Sequence, residues 1–187
     1  LNNFALPAYF TSGTQINAQI PPALAPGNYQ LVVHSIANHV ASAPQTLVVS
    51  KYAPSVFLNA KGQVMLFHDD GSYVDEDNPA TRDEPLHMYA SGLGPTTGGT
   101  VQAGALSPSN PLAVAHGVQV FFGRTDFKQS AVIVDWSGLD PGAIGVYRLD
   151  LRVPGFHGSG PAELVTVRVG GVDSPSTGPV VPYVPVD

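Results

Sequence analysis

With 187 residues the chain has room for one large or two small domains with a buried core. Only 12% of residues are charged, and a net charge of −6 with eight scattered Lys and Arg excludes the clustered basic surface that nucleic acid or an anionic membrane requires. The lack of cysteine removes disulfides, thiol catalysis and Cys-ligated zinc together.

Apolar residues alternate or run in short blocks rich in Val, Ile, Tyr and Phe, bounded by Gly, Pro, Asn and Asp. That pattern predicts strands and turns with almost no helix. Strands are expected near Tyr9–Phe10, Gln15–Ile20, Tyr29–His34 and Thr46–Ser50. A boundary follows at Ser50-Lys51-Tyr52-Ala53-Pro54, where a strand ends and a proline stops any continuing ladder. It separates residues 1-52 from 53-187 and reads as a stiff elbow. Beyond it, strands are expected at Gln63–Phe67, Leu86–Ala90, Val118–Phe122, Ala131–Val134, Val146–Val153, Leu164–Val169 and Val180–Val184. Ala41–Ala43 and Pro141–Ile144 allow a helical turn at most, and Leu93 to Pro111 reads as a long surface connection. The tail from Val172 to Asp187 carries prolines at 175, 179, 182 and 185, which restricts it to an edge strand or polyproline II. No apolar run reaches the ~18 residues of a membrane-spanning helix. The start at Leu1, without methionine or a signal peptide, reads as a processed product or a fragment of something longer.

Two stretches about 133 residues apart match one another. Gln15-Ile16-Asn17-Ala18-Gln19-Ile20-Pro21 aligns with Arg148-Leu149-Asp150-Leu151-Arg152-Val153-Pro154. Pro26 to Val33 then aligns with Gly160 to Val167. Self-similarity at a fixed offset signals repeated supersecondary units. Far fewer residues precede Gln15 than precede Arg148 in the second copy, so the first unit is expected to be incomplete. Short strands with frequent turns and no helical spacers give the expected fold: all-β, tandem immunoglobulin-like antiparallel β-sandwich modules, the first being the C-terminal half of a sandwich. An incomplete sandwich leaves open edges, and the proline-rich tail is a candidate donor strand for them.

The ordered motifs Gln15-Ile16-Asn17 with Pro21, Ala53-Pro54 with Phe57, Asp70-Gly71-Ser72, Asn78-Pro79-Ala80, Tyr89-Ala90-Ser91-Gly92-Leu93-Gly94-Pro95 and Val146-Tyr147 with Val153-Pro154 span nearly the whole chain. Their order resembles the Solibacter-type uncharacterised C-terminal domain found at the ends of large secreted acidobacterial proteins. The resemblance implies IPT/TIG-type modules in an extracellular or cell-surface setting, and it implies no reaction. This chain departs from the family in lacking the strands ahead of the Gln-Ile-Asn segment and in its proline-rich end.

Candidate site residues are few. Asp69, Asp70, Asp75, Glu76, Asp77, Asp83 and Glu84 crowd half of the fourteen acidic residues into one loop region, which suggests either calcium or a solvated turn. The spacing is not that of an EF-hand loop. His34, His39, His68, His87, His116 and His157 show no metal-ligand spacing and read as turn or surface residues. Ser159, between two glycines, lacks the strand-turn-helix context of a nucleophile elbow. The glycines of Gly92-Leu93-Gly94 precede a loop, so no phosphate cradle is expected. Trp136, Phe121, Phe122, Phe127, Tyr147 and Phe156 are candidates for a sugar-stacking platform, with core packing as the alternative. No catalytic, cofactor or metal residue is nominated, and neither nucleic acid nor membrane insertion is expected. The expected role is a non-enzymatic extracellular or cell-surface structural and interaction module. It would associate through open strand edges, into a surface or fibre assembly, with other copies of itself or with the rest of a larger secreted protein. The alternative is a ligand-binding accessory module for carbohydrate or calcium.

Overall fold

The computed structural model describes residues 1–2, 4–153, 162–175 and 183–185. Among these residues the protein is almost wholly β-structure, with one 3-10 turn at Lys128–Ser130 and no α-helix. The chain divides into two compact units. Unit 1 comprises Leu1–Lys51 and Val101–Ala105, and unit 2 comprises Tyr52–Thr100 and Leu106–Asp187.

Unit 1 holds six short strands: β1 (Ala8–Thr11), β2 (Ile16–Ala18), β3 (Gly27–Leu31), β4 (His34–Ser35), β5 (Val40–Ala41) and β6 (Gln45–Val49). They pair only as three separate antiparallel ribbons, β1 with β2, β3 with β6, and β4 with β5. The first ribbon turns at Ser12, whose Oγ accepts the Gln15 N–H at 3.0 Å and the Thr14 N–H at 3.3 Å. None of the described residues of unit 1 is buried. Alternate residues of β3 and β6, such as Tyr29, Leu31 and Leu47, are half-buried and go no further.

Unit 2 holds the rest: β7 (Ser55–Val56), β8 (Leu66–His68), β9 (Pro85–Ser91), β10 (Thr96–Gly98), β11 (Ala113–Ala115), β12 (Gln119–Phe122), β13 (Ala131–Leu139), β14 (Tyr147–Arg152), β15 (Ala162–Val169), β16 (Val172–Asp173) and β17 (Tyr183–Pro185). These eleven form one antiparallel network whose main path runs β16-β15-β12-β13-β14-β9-β7. The sheet curls, so alternate residues of its two ends meet in one core. Leu86, Met88 and Ala90 from β9 and Leu149 and Leu151 from β14 join Val120, Phe122, Val165, Val167 and Val169, each at 0–1% exposure. Burying a side chain of this size contributes roughly 1.5–3 kcal/mol, and unit 1 has no comparable set.

Several expected elements are placed differently. The segment from Leu93 to Pro111 is not a plain connection, since it contains β10 and lends Val101–Ala105 to unit 1. No helical turn forms at 41–43 or 141–144. Ala41 belongs to β5, and Gly142 and Gly145 adopt positive φ in a turn. The tail supplies β17, which pairs only with β15, at Ala162↔Pro185, Glu163↔Val184 and Leu164↔Tyr183. An edge position suits a proline-rich strand. That stretch of the tail is therefore engaged in its own unit and is not the donor strand expected for another.

The two units share their pairing residue by residue. In β13–β14, Val134↔Leu151, Trp136↔Asp150 and Ser137↔Leu149 are partners, with a bulge between Val134 and Trp136. In β1–β2, Ala8↔Ala18, Phe10↔Asn17 and Thr11↔Ile16 are partners, with a bulge between Ala8 and Phe10. The closing hairpins agree as well. β15 pairs with β17 and then, at Arg168↔Asp173 and Val169↔Val172, with β16. β3 pairs with β6, and the next strand β4 pairs with β5 at His34↔Ala41 and Ser35↔Val40. Between them lies the same serine clamp. Val167 N–H donates to Ser174 Oγ at 3.0 Å while Ser174 N–H donates to the Val167 carbonyl at 2.7 Å. In unit 1 the same two bonds join Val33 and Ser42, at 3.0 and 2.9 Å.

Candidate functional site

The outer face of the unit 2 sheet gathers the polar chemistry. Because β9 buries Leu86, Met88 and Ala90, its alternation turns His87 and Tyr89 outward. Register then sets His87 opposite Asp150 and Tyr89 opposite Arg148 on β14, with Phe67 of β8 opposite His87 on the other side. His87 Nδ1 lies 2.8 Å from Asp150 Oδ1, and its Nε2 lies 3.3 Å from Asp69 Oδ1. Arg148 reaches Asp140 Oδ1 at 3.3 Å and Asp150 Oδ2 at 3.3 Å, and its guanidinium carbon stands 5.1 Å from the Trp136 ring centroid. Phe67 meets Tyr73 and Tyr89 edge to face, with centroids 5.2 and 5.7 Å away. Burial, then the Asp140 charge, pushes the Tyr89 phenol up, so it stays neutral at ordinary pH. The result is a half-buried patch of rings around a network of paired charges. It can accept and donate hydrogen bonds to a polar ligand and offer apolar ring edges. Asp140 and Asp150 both pair with the Arg148 guanidinium, while His87 bridges Asp150 and Asp69.

The acidic loop is occupied by turn and pairing work. Asp70 Oδ1 accepts the Ser72 N–H at 2.8 Å, and Asp75 Oδ1 accepts those of Asp77 and Asn78, each at 2.9 Å. Glu76 lies 4.0 Å from Lys61, and Asp83 lies 3.4 Å from Arg82. Among the described residues no three His, Asp or Glu side chains gather as a metal shell.

His68 corrects the expectation of a surface histidine, being only 7% exposed. Its Nδ1 contacts Glu84 Oε1 and its Nε2 lies 3.2 Å from the Asn78 carbonyl. Glu84 Oε2 takes the Thr81 N–H and hydroxyl, both at 2.9 Å. Burial opposes charge on His68, but the Glu84 and Asn78 hydrogen bonds and the charges of Glu84 and Asp70 outweigh it and hold its pKa up. Burial likewise opposes charge on Glu84, and the Thr81 N–H and His68 overcome it and hold that pKa down. This pair staples the loop to β8 and the start of β9.

The remaining candidates scatter. His34 and His39 flank the β4–β5 turn, and His116 Nε2 lies 2.7 Å from Thr97 Oγ1. Of the aromatics proposed as a platform, Phe122 is in the core, Phe121 is covered by Arg168, and Tyr147 packs on the core with its hydroxyl donating to the Gly94 carbonyl. Phe127 is exposed and only Trp136 lies in the ring patch. His157, Ser159 and Phe156 lie outside the described residues. Phe67, Tyr73 and Tyr89 were missed by sequence reasoning. The period-two alternation of β8 and β9 was the signal that could have placed Phe67 and Tyr89 outward, whereas Tyr73 sits outside both strands and joins through an isolated bridge to Phe67.

Unit 1 offers a second kind of site, an apolar surface. Phe4, Tyr9, Phe10, Ile16, Val33 and Ile36 are all exposed, as are further residues of the same unit. Strand edges that pair with nothing among the described residues lie in the same unit as these exposed apolar side chains.

No family model matches the chain, and neither a curated protein nor a solved structure matches it.

Proposed function

We propose that the chain is a non-enzymatic structural and interaction module of the extracellular or cell-surface kind. It is read as two immunoglobulin-like, IPT/TIG-type β-sandwich units in tandem, as in the Solibacter-type C-terminal domain that its motifs resemble. The shared register, bulge and serine clamp of the two units support the tandem reading. The observation that carries the function is the contrast in burial: unit 2 closes its own core, while unit 1 buries none of its described residues. Unit 1 works by joining other polypeptide, either second copies or the rest of a larger secreted protein, through its open edges and apolar face.

Light scattering coupled to size-exclusion chromatography tests this on the whole chain and on Ala53–Asp187 across a dilution series. The expected outcome is concentration-dependent association of the whole chain and a monomer for the shorter piece. Two monomers at every concentration would remove second copies as the partner of unit 1.

The ring patch of unit 2 favours a second reading, a carbohydrate-binding accessory module. Its calcium form lacks a converged donor set among the described residues. On the carbohydrate reading, Tyr89→Ala and Trp136→Ala each weaken glycan binding at least about tenfold, read by titration against glycan-array hits. An array without hits at high protein concentration sinks it.

A further inference from the structure

Resting on the association reading above, we infer that the cover unit 1 is shaped to accept is a segment built like the front half of unit 2, entering in line with Leu1. The back half of unit 2 shows what such a cover does. There β14 pairs with β13 on one side and with β9 on the other, and β15 pairs with β12 opposite β16 and β17. Their counterparts in unit 1 keep only one side each: β2 has β1, and β3 has β6. Of these partner strands, β9 and β12 have no counterpart among the described residues of unit 1, and both come from the front half of unit 2.

Side chains agree with the strands. Leu149, Val153 and Val167 are 0–1% exposed in unit 2. At the matching positions of unit 1, Ile16, Ile20 and Val33 are 49%, 37% and 45% exposed. These are core residues by type and alternation, and they lie open because their covering strands are not there.

A single contact fixes where the cover is attached. In unit 2 the chain leaves β12 at Gly123, which has a φ of +98° and whose N–H donates to the Leu164 carbonyl of β15 at 2.7 Å. In unit 1 the matching carbonyl, Gln30 of β3, accepts the N–H of Asn2 at 3.0 Å, and Asn2 has a φ of +41°. The Asn2 side chain returns the bond, its Oδ1 accepting the Gln30 N–H at 2.7 Å. Asn is the non-glycine residue best suited to that left-handed conformation. Asn2 thus stands where Gly123 stands, and Leu1 stands where Phe122, the last residue of β12, stands. A strand entering at Leu1 from the same polypeptide lies already in register on the open edge of β3. A second copy offers no such segment, because its own front half is held in its own unit 2.

The test joins a copy of Ala53–Phe121 ahead of Leu1 in the full chain, so that Leu1 takes the place of Phe122. Hydrogen exchange is followed at the amides of β2 and β3, with mass by light scattering. Exchange is expected to slow by about tenfold or more in the extended chain, which should run as a monomer. Ala18 occupies the position of Leu151, so Ala18→Leu in the extended chain should slow it further by filling the space that residue leaves. Unchanged exchange in both extended proteins would overturn the inference. Equal protection arising in the unextended chain as its concentration rises would also overturn it, naming a second copy as the cover while leaving the association reading intact. If neither extension nor concentration protects these amides, both readings fall.

Discussion

His68 and Glu84 titrate in opposite directions and so bracket a pH window. The folded pKa of His68 is raised from 6.5, so its contribution is complete below 6.5 and is lost as pH rises through the raised value. That of Glu84 is lowered from 4.5, so its contribution holds above 4.5 and is lost as pH falls through the lowered value. The pair therefore supports unit 2 most between those two reference values. Urea unfolding should show stability declining as pH climbs above 6.5, and His68→Gln should flatten that decline. An unchanged slope in the variant would mean that the pair does not couple to folding. Gly138 marks another constraint at this scale. A Cβ there would sit 2.4 Å from the Ala113 carbonyl oxygen and 2.6 Å from the Trp136 ring, so the indole lies where a side chain would be. Gly138→Ala should cost about 1–3 kcal/mol in urea unfolding by overpacking. None of this was legible beforehand: a histidine beside an acidic run looks the same whether its partner is water or a carboxylate sixteen residues on.

At the scale of strands, alternation made the inner and outer faces readable wherever it ran unbroken. Leu86–Ala90 and Val146–Val153 were found close to their true extents because every second residue is apolar there. Two-residue strands such as β5, β7 and β16 were missed, since so short a run has no period to detect. β13 was read too short, because the bulge at Val134 breaks its alternation and Trp136, Ser137 and Gly138 follow out of phase. The serine clamp offers a test at this level. Ser174 is 2% exposed whereas Ser42 is exposed. Removing the buried hydroxyl leaves the Val167 N–H without its acceptor, so Ser174→Ala should lower stability by about 1–3 kcal/mol, and Ser42→Ala by under about 0.5 kcal/mol. Denaturant unfolding of both variants decides it, and equal effects would contradict the burial argument.

For the molecule as a whole, the strand-and-proline pattern shared by Gln15–Pro21 and Arg148–Pro154 was visible in the sequence, and Ile16–Ala18 and Leu149–Leu151 within it pair in the same register. What the sequence hid was the interleaving of the units, since nothing in Val101-Gln102-Ala103-Gly104-Ala105 signals that it belongs with the first fifty residues. The Gly104 N–H is held there by Gln19 Oε1 at 2.7 Å, a contact between residues far apart in the chain. The ring patch was hidden for a similar reason: its members come from β8, β9, β13, β14 and the turns that hold Asp69, Tyr73 and Asp140, and only tertiary register joins them. If association runs through unit 1, Ile16→Asp should abolish it in light scattering while leaving the unfolding of unit 2 within about 0.5 kcal/mol of the parent. Association that persists in this variant would place the contact elsewhere.

The matched bulges of β1 and β13 give the two hairpins the same strand register although their loops differ in length. The turn at Ser12–Gln15 is closed by the Ser12 hydroxyl and by the Ser12 N–H, which donates to the Gln15 carbonyl at 2.8 Å, whereas the matching hairpin of unit 2 runs on through Leu139↔Tyr147 before it turns. Length at that tip is therefore a free variable of the architecture, and a reporter tag or affinity epitope spliced between Ser12 and Gln15 should leave the pairing of Ala8 with Ala18 in place.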